Sequence, residues 1–383
     1  MAQVTQEAVL NVLRTIQDPD LMKDIVSLGF VTKNEVSGGS VDVVINLTTP
    51  ACPVKDQMRA EAERKLRALP GVTDVKVAMT AEVRGASGPP RDLAPGVKHF
   101  VAVSSGKGGV GKSTVTVNLA VALAQTGARV GILDCDVYGP DIPMMMGITG
   151  EPEAHGKRLI PKSRHGVKTM SIGYLIPDDK PVIWRGPMVH KLIEQFLGDV
   201  EWGQLDYLLV DMPPGTGDAQ LSLAQIVPLS GGVLVTTPQA VSTYDVAKAV
   251  AMFNQVHVDI LGIVENMAGY VVRARVEGAR AGTPVEVDTG TGREIVTTGP
   301  DGWFETVVHI FGTGGAERLS QRYGFPVLGR VPLNPEVRVG GDGGDPIVLT
   351  DPDSVAARAF REIAGRLAQR LAIREHKSLP VLQ

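Results

Sequence analysis

Gly106 to Ser113 read Gly-Lys-Gly-Gly-Val-Gly-Lys-Ser, which fits the spacing G-x-x-x-x-G-K-[ST] of a phosphate-binding loop. Glycines at these positions let successive backbone N–H groups converge on phosphate oxygens with no Cβ in the way. A helix starting immediately afterwards adds a dipole that favours an anion. On this reading Gly106, Gly108, Gly109, Val110, Gly111 and Thr114 contribute to the phosphate cradle. Lys112 reaches the β- and γ-phosphates and Ser113 holds Mg²⁺. Further along, Asp211 ends the apolar run Tyr-Leu-Leu-Val. A carboxylate at the C-terminal edge of a strand stands beside the phosphate loop in sheets of this kind, so Asp211 is expected to support the metal. The bland alternatives are a Gly-rich turn matching by chance and an ordinary strand-end turn residue. The apolar strand before the loop, the helix after it and the acidic strand end weigh together against both.

These residues need elements to carry them. From residue 98 onward short apolar runs alternate with helical stretches: HFVAVSS, ARVGILDCD, DYLLVDMPPG (206–215), GGVLVTTPQ (231–239), DILGIVEN (259–266) and FPVLGRVPL (325–333). Helical spacing falls on 187–198, 218–227, 242–256, 314–323 and 354–371, besides the stretch that follows the loop. Strands apolar on both faces and separated by helices predict an α/β fold with a mostly parallel sheet covered on both sides, that of a P-loop NTPase, over residues 98–375. Residues 271–308 are polar and Gly-rich with β-like runs, and are expected to form a pair of β-hairpins inserted between two elements of the sheet. Residues 1–85 read helix (5–16), strands (26–36 and 40–48), helix (54–69) and strand (72–83), a small α+β domain. The Gly/Pro-rich segment GASGPPRDLAPG (85–96) marks a linker, placed at 86–97.

Composition narrows the function classes. Lys+Arg number 38 against Asp+Glu 42, a formal net charge of −4, which argues against an electrostatic nucleic-acid binder. No window has the apolar length to cross a bilayer, and MAQVTQEAVL lacks the basic-then-apolar pattern of a secretory signal. Only two cysteines occur, Cys52 and Cys135, which excludes a disulfide framework and suits a reducing compartment. A cytoplasmic protein with no nucleic-acid and no membrane partner is expected. Cys52 lies in a Pro-flanked turn at a strand end, where a thiolate could be exposed. Cys135 reads as packed between strand and helix.

The loop resembles the "deviant" form, K-G-G-x-x-G-K-[ST], of ATPases related to septum-site and plasmid-partition proteins. That resemblance implies that Lys107 crosses a dimer interface to the partner's phosphates, a cation supplied in trans. It also implies that Asp136, the second acid of Asp134-Cys135-Asp136, orients or activates the attacking water while Asp134 supports the magnesium site. Lys107, Lys112 and Asp136 are thus the expected catalytic residues. The series SSGKGGVGKST, LDCDVYGPDIP, VIWRGPM, LDYLLVDMPPGTGDAQL, VTTPQAVSTYD, GIVENMAGY, HIFGTGG and VPLNPEVRVGGDGGDPIVL is similar to the Mrp/ApbC iron–sulfur cluster carrier ATPases over roughly 98–370. Residues 5–85, with TTPACP, resemble the metal–sulfur cluster biosynthesis (PaaD-like) family.

The resemblance implies an ATP-dependent homodimer that binds a labile iron–sulfur cluster and passes it to apo-proteins or exchanges it with cluster scaffold proteins. It also implies that Asn266 reads the adenine edge. No Asn-Lys-x-Asp guanine motif is found, which favours ATP over GTP. One departure stands out. The family carries a C-x-x-C pair shortly after the Asn-Met step, and here Asn266-Met267-Ala268-Gly269-Tyr270 is followed by no cysteine up to His309. Cys52 matches the cysteine of the small family domain and is the remaining candidate ligand, against the alternative of a simply buried thiol. Two readings stay open: a cluster carrier with non-standard ligands, and an ATP-driven dimeric switch of the same fold that has lost its cluster and acts through partner docking. A DNA-partition ATPase fits the loop but neither the small domain nor the charge.

Overall fold

The structure, a computed structural model, describes residues 4–19, 21–83, 85, 93–176, 186–215 and 218–378. Parts of three expected features lie outside the described residues: 86–92 of the linker, 182–185 of the VIWRGPM segment, and 216–217 of the loop after Asp211. The chain packs as two units. One comprises the residues up to 87 together with those from 368 onward, and the other comprises 88–367.

In the first unit, helix α1 (Gln6–Leu13) starts at Thr5, whose hydroxyl accepts the Ala8 N–H. Strand β1 (Val31–Ser37) pairs antiparallel with β2 (Ser40–Leu47). Helix α2 (Lys55–Arg67) then returns the chain to β3 (Asp74–Ala81), which lies parallel to β2. Alternate residues of β2 point inward, so Val41, Val43, Ile45 and Leu47 form a core with Val9, Leu13, Met58 and Leu66. The first strand begins at Val31, later than its apolar content suggests. The Asp24 carboxylate accepts the N–H groups of Val26 and Ser27 and Gly29 takes φ +71°, so the chain turns through residues 25–29 before it can extend.

The second unit is built on a sheet. In chain order its elements are β4 (Val97–Ser104), α3 (Lys112–Gln125), β5 (Val130–Asp134), β6 (Lys162–Arg164), β7 (Val167–Ser171), α4 (Gly186–Gly198), β8 (Leu205–Asp211) and α5 (Asp218–Ile226). There follow β9 (Gly231–Thr236), α6 (Ala240–Gln255), β10 (Ile260–Arg275), β11 (Pro284–Asp288), β12 (Arg293–Thr297), β13 (Trp303–Val308), α7 (Gly315–Tyr323), β14 (Val327–Leu333), α8 (Pro335–Gly343) and the first part of α9 (Val355–Ser378), whose residues from 368 onward belong to the first unit. The strands lie in the order β6-β7-β5-β8-β4-β9-β10-β13, with β14 also paired to β10. All pairings are parallel except β6 with β7 and β10 with β13. Every residue of β5, β8 and β9 is buried, the signature of a parallel sheet covered on both faces. Helix α3 is apolar on nearly all sides and correspondingly enclosed.

The region 271–308 differs from the expected pair of hairpins. Strand β10 does not end at Asn266 but continues to Arg275, and its extension pairs antiparallel with β13. Only β11 and β12 form a separate hairpin. A bulge after Asn266 interrupts the pairing with β14, which resumes at Tyr270 opposite Leu333 where β14 ends, and β13 supplies the partner from Tyr270 onward.

The end of the sheet opposite the phosphate loop is pinned by Asp206. Its carboxylate accepts hydrogen bonds from the Arg129 backbone N–H (2.9 Å) and guanidinium (3.0 and 3.2 Å) and pairs with Lys98 at 3.1 Å. Those contacts tie β8 to β4 and to the turn leading into β5. Burial works to raise the Asp206 pKa, but the hydrogen bonds from Arg129 and Lys98 outweigh it and hold the group down at about 2. A depressed carboxyl stabilises the fold above its unfolded value near 4, and that contribution is lost as pH falls toward about 2. Asp206→Asn is expected to lower stability by about 1–2 kcal/mol at pH 7 in urea denaturation. The gap to wild type should close between about pH 4 and about pH 2; a gap independent of pH would contradict the pinning role.

Candidate functional site

The parallel register gathers the site. Ser171 on β7 faces Asp134 on β5, Asp134 faces Asp211 on β8, and Asp211 faces Val103 on β4, all in one row across the C-terminal end of the sheet. The loop from β4 to α3 opens beside this row. Gly109 and Gly111 take φ +78° and +80°, in the left-handed region that side chains other than glycine disfavour. A Cβ at Gly109 would meet nothing within 4 Å, so the loop presents open backbone there. Helix α3 begins at Lys112 with Gly111 as its cap and no side-chain capping bond, which leaves the first-turn N–H groups without a side-chain acceptor. A loop with bare glycine backbone and an uncapped helix start fits a phosphate chain.

Lys112 is 6% exposed, and its Nζ lies 2.6 Å from Asp211 Oδ2, 3.6 Å from Asp136 Oδ2 and 3.1 Å from Ser113 Oγ. Burial works against its charge, but the Asp211 carboxylate outweighs that and raises its pKa. Ser113 Oγ donates to Asp211 Oδ2 at 2.7 Å, so two of the three expected magnesium residues already meet. Thr116 stands one turn further along α3, its Oγ1 2.6 Å from Asp211 Oδ1 and 3.0 Å from the Lys112 carbonyl. Thr116 was not singled out from the sequence. The signal is its position four residues after Lys112, on the same helix face.

Asp136 is 7% exposed, and its Oδ1 is buried and accepts no hydrogen bond from the described residues. Burial raises its pKa, with Lys112 acting in the opposite direction. An acceptor oxygen left open beside the phosphate-binding lysine is suited to hold a water. Asp134 lies deeper in the protein. It is fully buried, Oδ1 accepts the Asp136 backbone N–H at 3.1 Å, and Oδ2 accepts the Ser171 hydroxyl at 2.7 Å. Both oxygens are therefore held by protein groups. Burial, with the Asp211 charge added, raises its pKa well above the usual carboxylate range. Asp134 is thus placed to hold the Asp136 backbone. Ser171, the other half of that contact, sits on a strand with no long apolar run to mark it.

Lys107 is exposed at the outer lip of the loop, beside exposed Gly108 and Gly109. Its carbonyl is anchored by the Ser105 hydroxyl at 2.9 Å. Asn266, on β10, is 7% exposed and meets the loop directly: its Nδ2 donates to the Val110 carbonyl at 2.9 Å. Thr114, in the first turn of α3, has its carbonyl capped by the Asn118 amide at 2.9 Å. Gln220 on α5, another residue missed from the sequence, donates to the Pro213 carbonyl and to Ser104 Oγ and so ties the start of α5 to the end of β4.

Neither cysteine sits in a ligand cluster. Cys135 is fully buried, and burial, reinforced by the Asp134 charge, pushes its thiol well above the ordinary value. Cys52, in the first unit, is half-buried and packs against that unit's apolar core. Among the described residues no group of three or more His, Cys, Asp or Glu could hold a metal ion. No helix of the described residues is long and apolar enough to cross a membrane.

The family model described as "NUBPL iron-transfer P-loop NTPase" matches residues 96–280 and 303–368 and leaves 281–302, the stretch holding the β11–β12 hairpin, unmatched. A second model, "Iron-sulfur cluster assembly protein", matches residues 6–79. An "Iron-sulfur cluster carrier protein" of Synechocystis is 46% identical over 376 residues, covering 97% of this chain and 99% of that protein. One of the same description from Deinococcus radiodurans is 45% identical over 379 residues, covering 98% of each. A solved nucleotide-binding protein of Archaeoglobus fulgidus, in complex with ADP, is 36% identical with a TM-score of 0.51, and the match covers 67% of this chain and 92% of that one. With a phosphate loop, an in-register acidic row and relatives matched from end to end, the chain belongs to the family of NUBPL-type iron-transfer P-loop NTPases.

Proposed function

We propose that this ATPase carries iron–sulfur clusters, working as a cytoplasmic homodimer that takes up a labile cluster and delivers it to apo-proteins or exchanges it with scaffold proteins. The observation that carries the reading is the joining of two parts in one chain. One is a complete phosphate site of Lys112, Ser113, Thr116, Asp136 and Asp211. The other is an N-terminal unit that matches a cluster-assembly family.

Gly106, Gly108, Gly109, Val110, Gly111 and Thr114 form the phosphate cradle, and Lys112 neutralises the β- and γ-phosphates. Ser113 and Asp211 would hold Mg²⁺, which supplies charge neutralisation across the triphosphate. The hydroxyl and carboxylate are already 2.7 Å apart, a donor set of hard oxygens that suits this ion. Asp136 orients the attacking water through its open oxygen, and Asp134 keeps Asp136 in place through the backbone N–H it accepts. Lys107, exposed at the lip, reaches the partner subunit's γ-phosphate when two copies pair face to face, and hydrolysis opens the pair.

A second reading has its own observation. The chain has two cysteines, and the described residues hold no group of three or more His, Cys, Asp or Glu that could bind a metal ion. A protein of this fold could then act as an ATP-driven dimeric switch that docks partners without holding the cluster itself.

Two experiments test these readings. Lys107→Ala should leave ATP affinity unchanged within about twofold while kcat falls by on the order of 10³, the scale of a cation supplied in trans. Turnover at the wild-type rate would remove the cross-subunit role. Anaerobic reconstitution with iron and sulfide, read by visible absorbance and iron content, should load wild-type protein and fail to load Cys52→Ser. Wild-type protein that takes up no iron would leave the switch reading standing instead.

A further inference from the structure

A flexible, exposed lysine is aimed by the backbone it starts from. Lys107 is exposed, and among the described residues its ammonium has no hydrogen-bond or ion-pair partner. Its backbone is held: the Ser105 hydroxyl donates to the Lys107 carbonyl at 2.9 Å. Ser105 is fully buried, and its own carbonyl accepts the Gly215 N–H at 3.2 Å. One residue thus links the lip of the phosphate loop to the loop that follows Asp211. A second contact runs alongside. A Cβ on Gly108 would stand 3.8 Å from Pro214 Cβ, an ordinary packing distance, so the Pro214 ring lies against the backbone next to Lys107.

The loop after Asp211 is in turn held from behind. Gln220, on α5 and 1% exposed, uses both N–H groups of Nε2, one toward the Pro213 carbonyl and the other to Ser104 Oγ at 3.3 Å. A carbonyl can only accept, so the nitrogen of this amide is the end that faces Pro213. Gln220 Oε1 is buried and accepts no hydrogen bond from the described residues. A buried amide with one end unsatisfied opposes folding, so its presence here points to what the other end does. Ser104 ends β4 and Ser105 leads into the phosphate loop. The contacts therefore close a ring, from Gln220 to Pro213, along the chain to Gly215, across to Ser105, and through Ser104 back to Gln220. Lys107 hangs from that ring by the Ser105 hydroxyl.

We propose that Gln220 and Ser105 are positioning residues for Lys107: through this ring the loop after Asp211 sets the direction in which Lys107 leaves the phosphate loop toward the nucleotide of a second copy. The proposal rests on the cross-subunit role of Lys107 given above. Asp211 stands two residues before Pro213 and meets both Lys112 and Ser113, so the ring joins the phosphate site of one subunit to the cation it presents to the other.

The test is a mutant cycle read by steady-state ATP hydrolysis and by ATP affinity, both with Mg²⁺. It uses Gln220→Met, Ser105→Ala, Lys107→Ala, and each of the first two combined with Lys107→Ala. Gln220→Met keeps the side-chain length and loses both donors, and Ser105→Ala loses only the hydroxyl. Each should lower kcat by about threefold to tenfold, the scale of one neutral hydrogen bond, with ATP affinity held within about twofold. Combined with Lys107→Ala, each should lower kcat no further than Lys107→Ala does alone, because a group that acts through Lys107 then has nothing left to aim. A merely structural role would lower kcat by the same factor in both backgrounds, and that result overturns the proposal. So does an unchanged kcat in both single variants, or a loss of ATP affinity that matches the loss of kcat. Ser105→Ala carries the test alone if Gln220→Met does not fold. Wild-type turnover in Lys107→Ala is a distinct outcome, since it removes the cross-subunit reading on which the proposal stands.

Discussion

A buried ammonium needs a counter-charge, and that requirement organises this molecule. Lys112 sits at the start of the most enclosed helix of the chain, 6% exposed, where an unpaired charge would carry a desolvation penalty of several kcal/mol. Asp211 supplies the opposite charge at 2.6 Å, and Ser113 and Thr116 complete its hydrogen bonding. Each partner thus depends on the other, and removing either strands a charge in the interior. Asp211 can be there only because β8 lies between β4 and β5 in parallel register, which brings the end of one strand to the start of the helix that follows another. The fold and the site are therefore a single constraint met at two scales: the sheet order fixes the carboxylate, and the carboxylate keeps the lysine charged.

The same logic separates the two acids that follow β5. Asp134 and Asp136 are two residues apart, yet their surroundings give them different work. Asp134 lies in the strand row with both oxygens engaged, and its burial favours the neutral form. Asp136 lies past the strand end, close enough to Lys112 for a 3.6 Å contact and with one oxygen open. Sequence spacing alone makes both look like site residues. Residues two apart would share one face of a strand, so it is the end of the strand at Asp134 that gives the two acids different surroundings.

What could be read from the sequence follows the range of the interactions involved. The phosphate loop is local: its glycines, lysines and serine fall within eight residues, Gly106 to Ser113, and carry their own signature. Asp211 was readable because a strand end is marked by the close of an apolar run. The long parallel strands were readable for the same reason, being apolar on both faces. Strand β7 was not, since Val-Lys-Thr-Met-Ser has no apolar run and is recruited only because β5 offers an edge to pair with. Ser171 was hidden along with it. The contact of Asn266 with Val110 spans 156 residues and depends on a bulge, and neither leaves a mark in composition or periodicity. The course of β10 past Asn266 was misjudged because turn-rich sequence suggests a new hairpin, whereas the continuing strand found its partner in β13.

Ligand counting sets the terms for any cluster the chain carries. Iron–sulfur clusters are ordinarily held by four thiolates, and this chain has two cysteines. Cys135 is withdrawn from that chemistry, since a thiol fully buried beside Asp134 resists the deprotonation that metal binding requires. One candidate per chain is left, Cys52, and two copies paired as proposed would offer two thiolates. The remaining positions must be filled from outside the chain, by a partner protein or by small thiols in solution. A cluster with half of its ligands borrowed is open to exchange on that side, because incoming cysteines of a recipient can replace the borrowed ligands one at a time. For an enzyme that keeps its cluster, such a site would be a defect. For a carrier it lowers the barrier to release.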